Sequence, residues 1–251
     1  MELITSRRNP ICSEIRKLRS SRKYRYEKGL FLADGIKLVR EAIHWGSPIE
    51  MLVLQEGIEL PEVLPAEIPV TWVSAEVMSY VSSMDSPQGM LAICRMRLDE
   101  SESLPTRFLV LNELQDPGNV GTILRTADAL DIPVVISDGC ADPFSEKTVR
   151  ASMGAVFRTN PRVLSSDVLL KKCKDQGIPV AVTRLDPNAK DIRDYDFERC
   201  AVVIGNEGHG VSLEYSDSAE ISLIIPMNPR CESFNAASAA TIVMWQMKLK
   251  R

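Results

Sequence analysis

Five short apolar runs alternate with helical segments in the second half of the chain, and this alternation restricts the fold. Each run is rich in Val, Ile and Leu, which is typical of a strand buried on both faces. The segments between them carry apolar residues at intervals of three and four, as in Val120, Ile123, Leu124 and Ala127. The pattern predicts an α/β domain with a mostly parallel sheet covered on both faces. The predicted strands are residues 108–111, 133–136, 179–183, 201–204 and 221–225.

Residues 225–245 carry the clearest local signal for a binding site. Pro226 interrupts strand pairing, a polar turn follows, and Ser233 is predicted to cap a helix over residues 234–249. In open α/β sheets, ligands bind where strands end and helices begin. An ordinary capped turn between a strand and a helix would show the same pattern. The stretch by itself leaves both interpretations open.

The first 95 residues predict a smaller α/β domain. Residues 96–106, RMRLDESESLP, are charged and contain almost no large apolar groups, so they are predicted to form a linker. The chain therefore divides into a domain at 1–95, a linker at 96–106 and a second domain at 107–251. In the first domain the predicted helices are residues 5–20, 35–45 and 75–81, and the predicted strands are 30–33, 49–54, 69–73 and 90–94.

Positive charge is concentrated at the start of the chain. The formal net charge is −4, yet residues 1–28 contain nine Lys or Arg against three acidic residues. A solvated helix face would carry such a run, and so would an arm that contacts nucleic-acid phosphates. Composition excludes neither alternative.

Cysteine usage and apolar run lengths indicate a cytoplasmic protein with reduced thiols. The six cysteines are scattered without a C-x-x-C pair, and there are only two histidines, so the sequence predicts no metal site. The first ten residues, MELITSRRNP, lack the apolar core of a signal peptide. No apolar run reaches the length of a membrane span.

Three motifs occur in order over about 130 residues. They are NELQDPGNVGTILRTA at 112–127, IGNEGHGVS at 204–212, and IPM-x-x-x-x-ES-x-N at 225–235. Together they resemble the SpoU-type RNA ribose 2′-O-methyltransferases, the TrmH family of the SPOUT superfamily. Shorter matches at 31–42, 86–92 and 150–158 extend the resemblance over nearly the whole chain.

The resemblance implies a fold, a cofactor and an assembly. It implies a trefoil-knotted methyltransferase domain, preceded by a ribosomal-protein-like domain that binds RNA, and a homodimer formed through the last helix. It also implies S-adenosylmethionine as cofactor, held by Gly205, Ile225, Met227 and Phe234. With RNA as the substrate, the positive run at residues 1–28 is interpreted as a phosphate-contacting surface.

Arg125 aligns with the arginine that the family places at the ribose. A guanidinium is a poor base, so we interpret Arg125 as a clamp on the substrate phosphate that also stabilises the developing alkoxide. The alternative is a surface arginine paired with Asp128. His209 does not align with a catalytic residue of the family. The residues expected to orient Arg125, the ribose or the cofactor are Asn119, Glu207, Glu232, Ser233 and Asn235; Glu207 and Glu232 have the alternative of capping nearby helices.

The sequence thus predicts an S-adenosylmethionine-dependent RNA 2′-O-ribose methyltransferase, with ribosomal RNA as the first substrate class and transfer RNA as the second. A non-catalytic RNA-binding assembly factor with the same fold is the alternative. A dinucleotide-binding oxidoreductase is disfavoured, because the glycines at 205–210 are spaced G-x-x-G-x-G rather than G-x-G-x-x-G.

Overall fold

The computed structural model describes residues 3–61, 63–98 and 101–249, which form two compact units. The first unit contains the residues up to Arg97 together with Asp142–Arg158, and the second contains Leu98–Ala141 and the residues from Thr159 onward. The sequence-based division had assigned every residue after 106 to the second domain. The structure differs from it because residues 142–158 contribute apolar side chains to the core of the first unit.

The described residues form twelve strands and ten helices. Up to Arg97 they are β1 (Leu3–Ile4), α1 (Pro10–Ser20), α2 (Arg22–Lys28), β2 (Leu30–Asp34), α3 (Ile36–His44), β3 (Ile49–Gln55), β4 (Val70–Val73), α4 (Ala75–Val81) and β5 (Met90–Arg95). Beyond it they are β6 (Arg107–Leu111), α5 (Pro117–Leu130), β7 (Val134–Ile136), α6 (Glu146–Ala151), α7 (Val156–Thr159), β8 (Arg162–Val163), α8 (Ser166–Asp175), β9 (Val180–Thr183), β10 (Lys190–Asp191), β11 (Cys200–Ile204), α9 (Leu213–Ser218), β12 (Ile221–Ile224) and α10 (Ala236–Leu249).

The first unit is built on a five-stranded sheet in the order β1-β4-β3-β5-β2. Strand β5 is antiparallel to both of its neighbours, whereas β1, β4 and β3 are parallel. Side chains alternate across the sheet, so Ala92 packs on one face while Leu91 and Ile93 pack on the other. Helices α1 and α4 cover the second of these faces. Helix α3 and residues 142–158 cover the first, which explains why the first unit needs that later segment.

The positive run at residues 1–28 is part of this folded unit rather than a free arm. Helix α1 begins at Pro10, five residues later than predicted, because Asn9 Oδ1 accepts a hydrogen bond from Ile11 N at 3.0 Å and proline suits the first helical position. One face of α1 is buried through Cys12, Ile15 and Leu18. Deletion of residues 1–28 would therefore remove core side chains as well as charge.

Arg25 and Asp142 form a buried ion pair within the first unit. Their exposed fractions are 4% and 7%, and Arg25 Nε and Nη2 donate to Asp142 Oδ2 at 2.8 and 2.5 Å. Arg25 Nη1 donates to the carbonyl of Leu18 at 2.6 Å, and Asp142 Oδ1 accepts from Phe144 N at 3.0 Å. Tyr26 donates its hydroxyl to the same carboxylate, and its pKa is raised to about 12 by burial and by that charge. The pair thus fixes residues 142–144 to α1 and α2.

The second unit contains a seven-stranded sheet in the order β10-β12-β9-β11-β6-β7-β8, in which every neighbouring pair is parallel. This confirms the predicted α/β class and the parallel sheet. Both faces are covered: Val202 of β11 packs with α5 and α10, and Val203 packs with α8 and α9. The near-continuous apolar strands follow from this double burial.

The predicted linker is partly packed. Leu104 is buried, and its backbone N–H donates to Gln176 Oε1 at 2.9 Å. Arg162 Nη1 donates to the carbonyl of Ser103 at 2.9 Å. Residues 101–106 are therefore part of the second unit. Within the residues described, no helix is both long enough and apolar enough to cross a bilayer.

We predict that Arg25→Ala lowers the free energy of unfolding by about 3–5 kcal/mol, because it leaves the Asp142 carboxylate buried without its partner. Urea denaturation of the full-length protein measures the change. Lys23→Ala is the matched control, since Lys23 is exposed on the same helix. This substitution should lower the free energy of unfolding by less than about 0.5 kcal/mol. A loss for Arg25→Ala no larger than that of the control would contradict the role assigned to the pair.

Candidate active site

A pocket of about 360 Å³ opens at the carboxyl ends of three neighbouring strands in the second unit. Thr183 ends β9, Ile204 ends β11 and Ile224 ends β12, and all three line the pocket. Because the strands are parallel, these ends meet at one edge of the sheet, which is where open α/β sheets bind ligands. The volume lies in the range of small-molecule sites.

The four residues expected to hold a cofactor all line this pocket. Gly205 follows β11, Ile225 and Met227 follow β12, and Phe234 lies in the turn before α10. Phe234 and Met227 supply apolar surface, and the exposed fraction of Phe234 is 37%. The structure therefore brings the four positions together, and their cofactor contacts stay a prediction.

The glycine-rich loop 205–210 folds back on itself. Asn206 and Gly210 exchange two backbone hydrogen bonds of 2.9 and 3.0 Å, and Gly210 has a φ of 75°. A Cβ atom on Gly205 would lie 2.3 Å from the backbone carbon of Gly210 and from Val211 N. The missing side chain at Gly205 thus allows the close approach of the loop to itself.

Asn119 connects the three motif segments. Its Nδ2 donates to Glu207 Oε1 at 2.5 Å, and its Oδ1 accepts from Asn235 Nδ2 at 3.1 Å. Asp116 holds Asn119 in the first turn of α5, since its Oδ1 accepts from Asn119 N at 2.9 Å. Glu207 is thus a hydrogen-bond partner of Asn119. This contact explains the position of the Glu207 side chain, and the alternative role as a helix cap is not needed.

The cap of α10 is Asn235 rather than Ser233, so the prediction of Ser233 as cap and of a helix from residue 234 was wrong. Asn235 Oδ1 accepts from the backbone N–H groups of Ala237 and Ser238 at 3.0 and 3.3 Å, and α10 begins at Ala236. Asparagine caps helices at least as well as serine. Ser233 is exposed and lines the pocket.

Glu113 and His209 form a second link across the site that the sequence did not predict. His209 Nε2 lies 2.6 Å from Glu113 Oε2, and Asn206 Nδ2 donates to the carbonyl of Glu113 at 2.9 Å. Glu113 adopts a φ of 58°, and Gly139 packs against its side chain. His209, which does not align with a catalytic residue of the family, also lines the pocket. The available signal was the position of Glu113 in the first motif, two residues after the end of β6.

Residues 106–245 match the model of the SpoU rRNA Methylase family, and residues 9–92 match that of the MRM3-like substrate binding domain. The first match covers more than half of the chain. The chain belongs to the SpoU rRNA methylase family. This confirms the family resemblance predicted from the three motifs. A curated relative of this SpoU family member is RlmP of Bacillus subtilis (strain 168), a 23S rRNA (guanosine(2553)-2′-O)-methyltransferase, which is 30% identical over 99% of this chain and 100% of its own.

Solved structures match the fold of nearly the whole chain. The AdoMet-bound rRNA methyltransferase from Sinorhizobium meliloti is 30% identical, has a TM-score of 0.87, and is matched over 99% of this chain and 97% of its own. AviRb from Streptomyces viridochromogenes shares the fold with a TM-score of 0.82 at 24% identity, covering 96% of this chain and 98% of its own.

Two further residues predicted for the SpoU site lie outside the Asn119 contacts. Arg125 is exposed on α5 and does not line the pocket, and its side chain has no ion pair or hydrogen bond to any residue that the structure describes. The alternative pair with Asp128 is therefore not formed within residues 3–61, 63–98 and 101–249. Glu232 is also exposed and has no hydrogen bond in the same ranges. Both side chains are available to a substrate.

We predict that Gly205→Ala in this SpoU family member lowers the affinity for S-adenosylmethionine at least tenfold. The added Cβ would collide with backbone atoms at 2.3 Å, so the loop that lines the pocket must move. Titration calorimetry on the full-length protein measures the affinity. Gly208→Ala is the control, because a Cβ there meets only Asn206 Oδ1, at 3.4 Å. Equal affinities for the two variants would show that the loop does not shape the binding site.

Proposed function

We propose that this protein transfers the methyl group of S-adenosylmethionine to a ribose 2′-hydroxyl in RNA, with ribosomal RNA as the first substrate class and transfer RNA as the second. The observation that carries the proposal is the junction at Asn119, where three motif segments meet beside the pocket at the strand ends. The rRNA methyltransferase relatives direct the choice of RNA class.

The residues around the pocket fit a nucleoside-type cofactor. Ile225, Met227 and Phe234 provide apolar surface for a purine ring, and the backbone groups at the strand ends provide the few polar contacts that orient a ligand in such sites. When bound, S-adenosylmethionine supplies an electrophilic methyl group on a sulfonium. The loop 205–210 lines one side of the pocket.

Arg125 binds the RNA rather than the cofactor in this proposal. Its guanidinium has no partner among the described residues. It can therefore donate hydrogen bonds to a phosphate or to the ribose oxygen without losing an existing ion pair. A planar guanidinium binds phosphate through two parallel hydrogen bonds. The same positive charge stabilises the alkoxide as the hydroxyl proton leaves.

Asn119, Glu207 and Asn235 act as positioning residues. Their hydrogen bonds fix the start of α5, the glycine-rich loop and the cap of α10 relative to one another. Ser233 lies beside this junction at the pocket, and Glu232 is exposed next to it. We assign these two side chains to orienting the ribose. Precise placement of reactants can supply a large share of a methyl-transfer rate.

Methyl incorporation tests the function directly. Full-length protein, labelled S-adenosylmethionine and unmodified transcripts of 23S rRNA or of tRNA are combined, and 2′-O-methyl groups are mapped in the product. Incorporation at one ribose of the 23S transcript is expected. Tight RNA binding without incorporation into either transcript would favour the non-catalytic assembly factor.

We predict that Arg125→Ala lowers methyl transfer by about 100-fold or more, as expected for loss of a group that stabilises a developing oxyanion. Affinity for S-adenosylmethionine should stay within twofold, measured by calorimetry. Arg125→Lys should recover little activity, because an ammonium group cannot reproduce the planar fork. Lys174→Ala, an exposed charge on α8, is the control. Near-native turnover of Arg125→Ala would exclude the clamp.

We further propose a homodimer formed through α10. Its outer face exposes Trp245 and Leu249, with exposed fractions of 52% and 60%. Large exposed apolar side chains on one helix suit a protein interface, and two-fold pairs are the commonest oligomers. Met244 is fully buried within its own unit, so it belongs to the core. A charge at Met244 would therefore disturb the fold and cannot test the dimer.

We predict that Trp245→Glu converts the dimer to a monomer. Light scattering at micromolar concentration should give about twice the 27.9 kDa chain mass for the unmodified protein and a single chain mass for the variant. Val168→Glu is the control, since Val168 is an exposed apolar residue on α8 of the same unit. A single chain mass for the unmodified protein would exclude the homodimer.

We also propose a knot, which family membership implies, and a cytoplasmic location, which the cysteine usage indicates. The chain through residues 107–251 forms a trefoil knot, which would hold the segments around the pocket in place. The protein acts in the cytoplasm, where its six cysteines are free thiols and five of them are buried.

A further inference from the structure

Five of the positive side chains in residues 1–28 lie around one concave surface of the first unit. We name this the basic cleft, and it has a volume of about 560 Å³. No carboxylate of the described residues is among the groups that line it. The residues that define it are Arg7, Arg8, Arg16, Lys17, Arg19 and Tyr80.

Only some of this charge is neutralised by the protein. Arg7 pairs with Glu76 at 3.0 Å, and Arg19 lies 3.5 Å from Glu146. Arg8, Arg16 and Lys17 have no ion pair with any carboxylate in the described ranges. Three cations without counter-charge on one concave surface repel one another and create a positive electrostatic potential. This potential favours the binding of a polyanion.

The cleft cations are held on a rigid support. Arg16 and Lys17 project from α1, whose opposite side is buried against the sheet. Arg19 Nη1 donates to the carbonyl of Ser82 at 2.9 Å, which fixes one wall of the cleft. A site on a packed helix keeps its charges in place before a ligand arrives.

The aromatic ring in the cleft is already in contact with arginine. The guanidinium carbons of Arg7 and Arg16 lie 5.2 and 4.6 Å from the centre of the Tyr80 ring, and Arg16 also donates to the Tyr80 hydroxyl. Proteins that read single-stranded bases stack them on open aromatic rings. Because Tyr80 is engaged by two guanidinium groups, the cleft suits phosphates rather than bases.

We propose that the basic cleft binds consecutive phosphates of the substrate RNA and contributes affinity without sequence preference. The proposal rests on the RNA substrate of the proposed function and assigns the N-terminal charge to three residues, Arg8, Arg16 and Lys17. Arg25, from the same run, is excluded because it is buried against Asp142. Specificity for the methylated site then comes from other parts of the chain.

The test compares two triple variants of the full-length protein. Arg8→Ala/Arg16→Ala/Lys17→Ala removes the three unpaired cleft charges. Lys23→Ala/Lys28→Ala/Lys37→Ala removes three exposed charges of the same unit outside the cleft. Binding to an unmodified 23S rRNA transcript is followed by fluorescence anisotropy at several salt concentrations. Circular dichroism and thermal unfolding establish that both variants are folded.

For the cleft variant, the slope of log K against log salt concentration should become shallower by about 2, because each lost contact to single-stranded phosphate contributes about 0.7. The affinity at about 0.1 M salt should fall by about 100-fold, since each contact contributes about fivefold there. The loss should be the same for an unrelated transcript of equal length. The control variant should keep both the slope and most of the affinity.

Methyl transfer separates this proposal from the proposed function. The cleft variant should raise KM for RNA and leave both kcat at saturating RNA and affinity for S-adenosylmethionine unchanged. If the unmodified protein methylates RNA while the cleft variant keeps the original salt slope and KM, the cleft assignment is wrong and the function stands. An equal loss of RNA affinity in both triple variants would also overturn the cleft assignment. Such a result would indicate that positive charge over the whole unit, rather than in the cleft, binds the RNA. If the unmodified protein neither binds nor methylates RNA, both proposals fail.

Discussion

The side chain of Asn119 is the contact on which the candidate site depends. It bonds to Glu207 and Asn235, which lie 88 and 116 residues further along the chain. These groups can meet only because β6, β11 and β12 run in the same direction and end at the same edge of one sheet. The parallel register thus determines where polar side chains converge, and the amide of Asn119, with one donor and one acceptor in use, fixes their spacing.

Much of this edge could be predicted from sequence because its signals are local. Helix α4 was predicted with its observed bounds, Ala75–Val81, and most strands were predicted to within one residue. The hydrophobic periodicity and the turn residues that predict these elements lie within each segment. The four pocket residues came from the family resemblance of the motifs, and the rule that ligands bind at strand ends predicted only the region around residues 225–245. The start of α10 was predicted wrongly, because Ser233 and Asn235 are both good caps and only the folded loop selects Asn235.

Other features depend on contacts between residues that are far apart in the sequence, so no local pattern predicts them. Arg25 looks like any other residue of a basic run, and its partner Asp142 is 117 residues away. The same applies to residues 101–106, whose polar composition resembles that of a linker although Leu104 is buried. The two-residue strands β1, β8 and β10 are too short to show a period. The basic cleft was visible only as a charge excess, because its concave shape comes from α1 packing on the sheet.

The contribution of residues 142–158 to the first unit has a consequence for synthesis of the chain. Phe31 packs against Phe144 and Phe157, with ring centres 5.0 and 5.9 Å apart. During translation, the first 97 residues leave the ribosome before these partners do. At about 5–20 residues per second, the roughly 60 residues between Arg97 and Arg158 take about 3–12 seconds to make. Throughout that interval the nascent chain exposes the apolar face of the first sheet that residues 142–158 later cover. This face stays exposed unless a chaperone binds it.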